Sequence, residues 1–299
     1  MNTISQPGIY EMTAAEYHAD PCAVPSLSST VAKLLVSRSP AHAYLAHPKL
    51  GGLKDDDDDG SDPSASKEKA LGELIHRLVL DKGGDIVVIQ ADAYRTTAAK
   101  MERDTAISRG QIPVLAHKLP AAQAAAEAAR KQLDDLGLDH VFRDGKMEVV
   151  LIWEEDGVWL RAMLDNLIID EDSKMADIYD LKTVGRSSHP KACAAQIESL
   201  GYDLSLSFYA RGLAKLRPDL AGRIRKHWAF METKPPFSVT PCEITGEWEM
   251  VADHNTERAI ALWRKCRTEG RWPHYVDATV RLEPKPWLLN DLLSSTSHE

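Results

Sequence analysis

The chain has 299 residues, 43% of them hydrophobic and 27% charged, with a formal net charge of −9. That is an ordinary globular composition, long enough for one large domain or two small ones. Its four cysteines, Cys22, Cys193, Cys242 and Cys266, include no C-x-x-C, which argues against a zinc ribbon, an iron–sulfur cluster or a disulfide framework and leaves reduced packing residues.

The start, MNTISQPGIYEM, lacks a basic region followed by an apolar run. No later segment approaches the roughly 20 apolar residues of a membrane span, so a cytoplasmic protein without a membrane partner is expected. Residues 12–20, MTAAEYHAD, carry a threonine cap before helix formers, and residues 25–48 place a serine-rich cap before an apolar periodic run. Residues 1–50 thus read as a helical extension packed on the core. Residues 51–66 hold the run Asp55 to Asp59 and read as a solvated flexible acidic loop, and residues 67–299 as the core.

In SKEKALGELIHRLVLD, the stripe of Ala70, Leu74 and Leu78, joined by Ile75 and Val79, predicts a largely buried helix on which Glu73 and His76 share a face. IVVIQ reads as a short strand or link, and LPAAQAAAEAARKQLDDLG as an alanine-rich helix ended by Gly137. A strand meander follows from 147 to 183. Next come a helix, a break at Gly201, a second helix closed by Pro218, and two strands joined at Pro235-Pro236. A long amphipathic helix over 247–269 precedes an irregular tail with a terminal helix. Helices alternating around a central mixed sheet indicate an α/β or α+β core. Neither an internal repeat nor a glycine-rich phosphate loop is visible.

The chemistry concentrates in GVWLRAMLDNLIIDEDSKMADIYDLKT, residues 157–183, which sets Asp165 on one strand and Asp180 and Lys182 on the next. Side chains alternate along a strand, so Asp180 and Lys182 point one way and Leu181 points back into the core. Two carboxylates and an ammonium then share a small volume. Carboxylate oxygens suit hard ions such as Mg2+ or Mn2+, and a metal pair about 3.5–4 Å apart can activate water and neutralise the leaving oxygen of a phosphodiester. Lys182 would hold the attacking water or stabilise the phosphorane charge. An isolated D-x-K at a strand end is usually a solvated turn, but here Glu148 opens EVVLIW, which the turn 154–157 folds back as a hairpin, so its carboxylate is expected beside Asp165.

A net negative charge normally opposes a DNA partner. Two basic clusters soften that objection: Arg211, Lys215, Arg217, Arg223, Arg225 and Lys226, then Arg258, Arg264, Lys265, Arg267 and Arg271. Either could line a duplex path or form a solvated helix face.

These segments resemble the phage-type RecE nuclease domain, the exodeoxyribonuclease VIII branch of the PD-(D/E)XK superfamily. The likeness runs from about Gly8 to Trp287 and is carried by YEMTAAEYHAD with SLSSTVAKLLVSRSPAHAYLA, LGELIHRLVL, ADIYDLKT, GYDLSLSFY and GRWPHY. It implies a PD-(D/E)XK core in which His76, Asp165 and Asp180 ligate divalent metal, with the Leu181 carbonyl as a further ligand. Lys182 is then catalytic, and Glu148 is an acidic residue near the site. Mg2+ is the implied cofactor, with Mn2+ substituting.

Arg161, Thr183, Ser205 and Tyr209 fall where DNA would be positioned. Ser205 stands where the family usually has glutamine, and Met163-Leu164 where many relatives have Arg-Pro. The implied activity is 5′–3′ digestion of one strand from double-stranded DNA ends, yielding single strands for an annealing protein or recombinase, by a ring-like homo-oligomer. An endonuclease or a nuclease of other polarity on the same fold, and a non-catalytic DNA-end-binding scaffold, are the alternatives.

Overall fold

The computed structural model describes residues 3–52, 63–287 and 289. Its first half runs β1 (Gly8–Tyr10), α1 (Ala14–His18), β2 (Leu27–Ser28), α2 (Ser29–Ser37), α3 (Pro40–Ala46), α4 (Pro63–Leu80), β3 (Ile86–Ile89), α5 (Thr97–Ser108), β4 (Ile112–Leu115) and α6 (Leu119–Asp135). The second half runs β5 (Lys146–Glu155), β6 (Val158–Asp170), β7 (Met175–Val184), α7 (Pro190–Leu200), α8 (Tyr202–Leu216), β8 (Ile224–Glu232), β9 (Val239–Cys242) and α9 (Gly246–Glu269). The acidic run Asp55 to Asp59 lies outside the described residues, as does most of the expected terminal helix.

Seven strands form one mixed sheet in the order β1-β5-β6-β7-β8-β9, with β2 also paired to β6. The β5–β6–β7 meander is antiparallel, and β7 and β8 are parallel. Asp156 and Gly157, both at positive φ (51° and 77°), make the tight turn that twists β5 into β6. The mixed α/β architecture agrees with the sequence reading.

Three local features depart from it. Residues 3–52 supply β1 and β2 to the sheet as well as helices. The run 25–48 divides into α2 and α3 because Pro40 has no N–H to donate and bars Ser39 from helical geometry; Ser39 is extended at φ −139°, ψ 160°. Finally, α5 and β4 occupy a stretch in which only two small side chains of α5, Ala99 and Ala106, are buried. With so little apolar periodicity to read, this helix and its strand, which pairs in parallel with β3, leave no clear trace in the sequence.

Helices cover both faces of the sheet. On one side, Leu35 of α2, Ile197 of α7, Leu206, Phe208 and Leu213 of α8 and Trp263 of α9 pack with Trp153, Leu160, Leu164, Ile178, Trp228 and Phe230. On the other, Leu74, Ile75 and Val79 of α4 and the alanines of α6 pack with Tyr179, Leu181, Ala229 and Met231. Ala70 of the expected apolar stripe is exposed. Leu181 therefore does point into the core, toward α4 and α6, and Ile178 and Leu181 mark the opposite faces that alternation along β7 requires.

Helix α4 comes close to β7 because Gly72 has no side chain: a Cβ there would lie 2.6 Å from Thr183 Oγ1. Gly72→Ala is expected to cost about 1–3 kcal/mol by overpacking. Adding Thr183→Ala, which removes the opposing oxygen, should recover part of that loss in urea unfolding. Full additivity of the two substitutions would show that this contact does not set the helix position.

Candidate functional site

The site forms where β6 and β7 part. Their ladder runs from Asp170↔Met175 to Asn166↔Tyr179, while the other end of β6 pairs with β2 at Leu160 and Arg161. Between these ladders β7 stays with β8 as far as Val184↔Glu232. The Leu181 N–H, freed from β6, donates to Asp165 Oδ2 at 2.8 Å.

On the other flank, the register Met147↔Asn166 and Val149↔Leu164 puts Glu148 opposite Asp165. Glu148 has φ 49°, in the left-handed region that a side chain rarely adopts. Alternation breaks there: Met147 packs on the α4 side and Val149, two residues along, on the α8 side. Such an outlier beside clustered titratable groups is where backbone strain serves a function.

His76 reaches this point from α4, its Nε2 3.1 Å from Asp165 Oδ2. Lys182 Nζ is in ion contact with Asp180 Oδ2 and lies 4.8 Å from the centre of the Tyr202 ring. Asp180 is 2% exposed, and the Lys182 ammonium is the cation in direct contact with its Oδ2. His76, Glu148, Asp165, Asp180 and Lys182 thus make one cluster, while Glu73, on the same helix as His76, is exposed.

Burial and charge push these groups apart. Burial pulls the His76 imidazole down, but the Asp165 carboxylate more than offsets it and leaves it above its ordinary value. Burial raises Asp165, yet His76, Lys182 and the Leu181 N–H together hold it below the usual carboxylate range. Asp180 is raised by burial and by Asp165 despite the opposing Lys182. Glu148 is raised by burial, with Asp165 adding to it and His76 opposing. Burial lowers Lys182, but Asp180 and Asp165 override it and keep the ammonium charged.

The donor chemistry fits a hard divalent cation: carboxylate oxygens with one imidazole. Neighbouring ligands of an octahedral ion with bonds of about 2.0–2.1 Å lie about 3 Å apart, the spacing of the His76–Asp165 contact. Among the described residues no three His, Cys, Asp or Glu side chains stand at metal-holding distance.

The residues expected to position DNA are less united. Tyr209 accepts a hydrogen bond from Ser29 Oγ at 3.3 Å, and burial, with Asp180 adding, raises its hydroxyl well above the ordinary tyrosine value. Thr183 abuts Gly72. Ser205 is buried and its hydroxyl turns back to the Gly201 carbonyl at 3.5 Å.

Arg161 is turned inward: it is 2% exposed and donates to Tyr17 O at 3.2 Å and Ser26 Oγ at 2.7 Å, with Asp20 Oδ2 3.4 Å away. It fastens the N-terminal segment to β6. Part of the basic clusters is neutralised as well: Arg211 pairs with Glu155, Arg217 with Glu171 and Asp219, Arg225 with Asp177, Lys226 with Glu249 and, in the second cluster, Arg264 with Asp156.

Sequence reasoning missed two groups, Tyr202 and Lys33, whose side chains approach the site only because α2 packs on α8. Lys33 Nζ lies 5.3 Å from the centre of the Tyr202 ring. The segment SSTVAKLL gives a helical period and nothing that marks this lysine.

The fold is shared with the crystal structure of a protein from Eubacterium rectale provisionally designated an exonuclease, at 13% identity over 95% of this chain and 98% of that chain, with a TM-score of 0.56. A solved structure of SSO0001 matches 64% of this chain and 85% of that one at 13% identity, with a TM-score of 0.27 that carries no argument. No protein-family model matches the chain, and no curated protein matches its sequence. No helix among the described residues is long and apolar enough to cross a membrane. At that identity the likeness to the Eubacterium rectale protein establishes the fold, a central mixed sheet flanked by helices.

Proposed function

We propose that the chain is a metal-dependent nuclease that hydrolyses phosphodiesters at the parting of β6 and β7. The observation that carries this reading is the convergence of Asp165, His76, Asp180 and Lys182 on one partly exposed point. Carboxylates gathered at one partly exposed point, with the charged form of Asp180 disfavoured by burial and by Asp165, favour a bound divalent cation.

His76, Asp165 and Asp180 would hold Mg2+ or Mn2+, with the Leu181 carbonyl as a further ligand. Such an ion, when bound, would polarise the phosphodiester and make water nucleophilic at neutral pH. Lys182, kept protonated, donates to the attacking water or to a phosphoryl oxygen on which charge develops, and does not serve as a base. The Leu181 N–H fixes Asp165, and Glu148 adds a carboxylate opposite it. His76→Ala is expected to shift the Mg2+ concentration needed for half-maximal activity upward about 10–100-fold, a loss of the size seen when the shell of a metal site is disturbed. An unchanged Mg2+ titration would return His76 to a purely structural role.

The finer reading, a RecE-like 5′–3′ exonuclease acting on duplex ends and supplying single strands to an annealing protein or recombinase, rests on the sequence resemblance and agrees with the name given to the Eubacterium rectale protein. It is tested by digesting linear duplex labelled distinguishably at its 5′ and 3′ termini, beside a covalently closed circle. Loss of the 5′ label from the linear substrate alone supports it. Cutting of the circle would make the protein an endonuclease, and binding without cleavage would leave a DNA-end scaffold.

A further inference from the structure

Beside the cluster lies a second ammonium with no anion to hold it. The stem of Lys33, on α2, crosses the junction of α7 and α8, where a Cβ on Gly201 would lie 3.2 Å from Lys33 Cδ and 3.3 Å from Cγ. Gly201 sits at φ 61°, so glycine serves there both the left-handed turn between the helices and the passage of the lysine. The ammonium then meets the Tyr202 ring at 5.3 Å, the same ring that Lys182 approaches to 4.8 Å. An aromatic face attracts each cation, but the two cations repel one another.

Lys182 has Asp180 as its partner. Among the described residues no carboxylate lies within ion-pair distance of Lys33, although Lys33 is only partly exposed. Burial first, and Lys182 second, hold the Lys33 pKa down to about 8, with Asp180 and Asp203 opposing from further off. A half-buried, unpaired cation next to another cation is unfavourable in the free protein and becomes favourable when an anion joins them.

We propose that Lys33 receives a backbone phosphate of the bound nucleic acid, next to the phosphodiester that Lys182 faces; this rests on the nuclease reading. A phosphate contact positions the strand without reading its sequence. Lys33 is thus a positioning residue: it sets where along the strand the scissile bond stops.

The test is binding of a fluorescent linear duplex in EDTA, across salt from about 50 to 200 mM, by wild type, Lys33→Met and Lys33→Arg, followed by steady-state cleavage in Mg2+. Lys33→Met keeps the apolar stem and removes the charge, so its unfolding midpoint should not fall below wild type. The expected result is a slope of log affinity against log salt reduced by about one ion, a raised KM with a smaller change in kcat, and recovery of both by Lys33→Arg. Wild-type slope and affinity in Lys33→Met would overturn the assignment while leaving the nuclease reading standing. Failure of the wild type itself to bind or cleave DNA would overturn both. If Lys33→Met unfolds, Lys33→Gln carries the same comparison with Lys33→Arg.

Discussion

Lys182→Ala is expected to lower the rate of DNA hydrolysis at saturating Mg2+ by at least about 10²–10³-fold, the cost of removing one preorganised donor aimed at developing charge, while the protein stays folded. Asp180→Ala should do at least as much, since it deletes both the partner of Lys182 and a carboxylate of the cation site. The pair also predicts a stability signature. Without Lys182, the 2%-exposed Asp180 carboxylate loses the counter-charge in direct contact with it, which destabilises the fold in EDTA. Mg2+ should restore part of that loss in Lys182→Ala and should stabilise Asp180→Ala less than wild type, because only the first keeps both carboxylates of the cation site. Kinetics and thermal unfolding on the same preparations check both halves. Near-normal turnover in either variant would remove these residues from the chemistry.

The largest expected effect on stability lies away from this cluster. Asp20, its side chain fully buried, accepts hydrogen bonds from Ser26 N at 2.9 Å, Ser26 Oγ at 2.7 Å and Cys22 N at 3.2 Å, and lies 3.3 Å from His47 Nε2 and 3.4 Å from Arg161. Asp20→Ala leaves the Arg161 guanidinium buried without its carboxylate, at a cost of about 3–5 kcal/mol. A change within about 0.5 kcal/mol in urea unfolding, the size of an ordinary surface substitution, would refute the account of Arg161 as an anchor.

The same network sets an acid limit. Burial raises Asp20, but His47, Arg161 and Ser26 outweigh it and bring its carboxyl from 3.8 down to about 2. A carboxylate whose folded pKa is depressed stabilises the fold at pH values above its unfolded pKa, and that contribution disappears as pH falls through the folded one. The loss, about 2 kcal/mol, should therefore fall between about pH 4 and pH 2, and it should be missing from the pH profile of Asp20→Ala.

What the sequence made legible follows from which interactions are local. Alternation along a strand needs only neighbouring residues, so the opposed facing of Leu181 and the pair Asp180 and Lys182 could be read directly, as could the hairpin that sets Glu148 across from Asp165. The helix that carries His76 was legible from its apolar stripe, although Glu73, read on the same face, lies exposed. Lys33 and Tyr202 were not, because their meeting depends on α2 packing against α8 some 170 residues later in the chain. Arg161 was read by position, and position does not report that its guanidinium is consumed by Tyr17, Ser26 and Asp20. Arg211, Arg225 and Lys226 looked free for a duplex path because their acidic partners, Glu155, Asp177 and Glu249, are distant in sequence. Ser205 looked like a shortened contact to substrate, and it is instead a buried hydroxyl bonded to its own helix.

The most direct measurement is the release of nucleotides from a linear duplex by wild type and Lys182→Ala, side by side, in Mg2+ and in EDTA. Release by the wild type in Mg2+ alone, with Lys182→Ala folded and inactive, is the result this site requires. Equal release in EDTA, or turnover by Lys182→Ala at the wild-type rate, would contradict it.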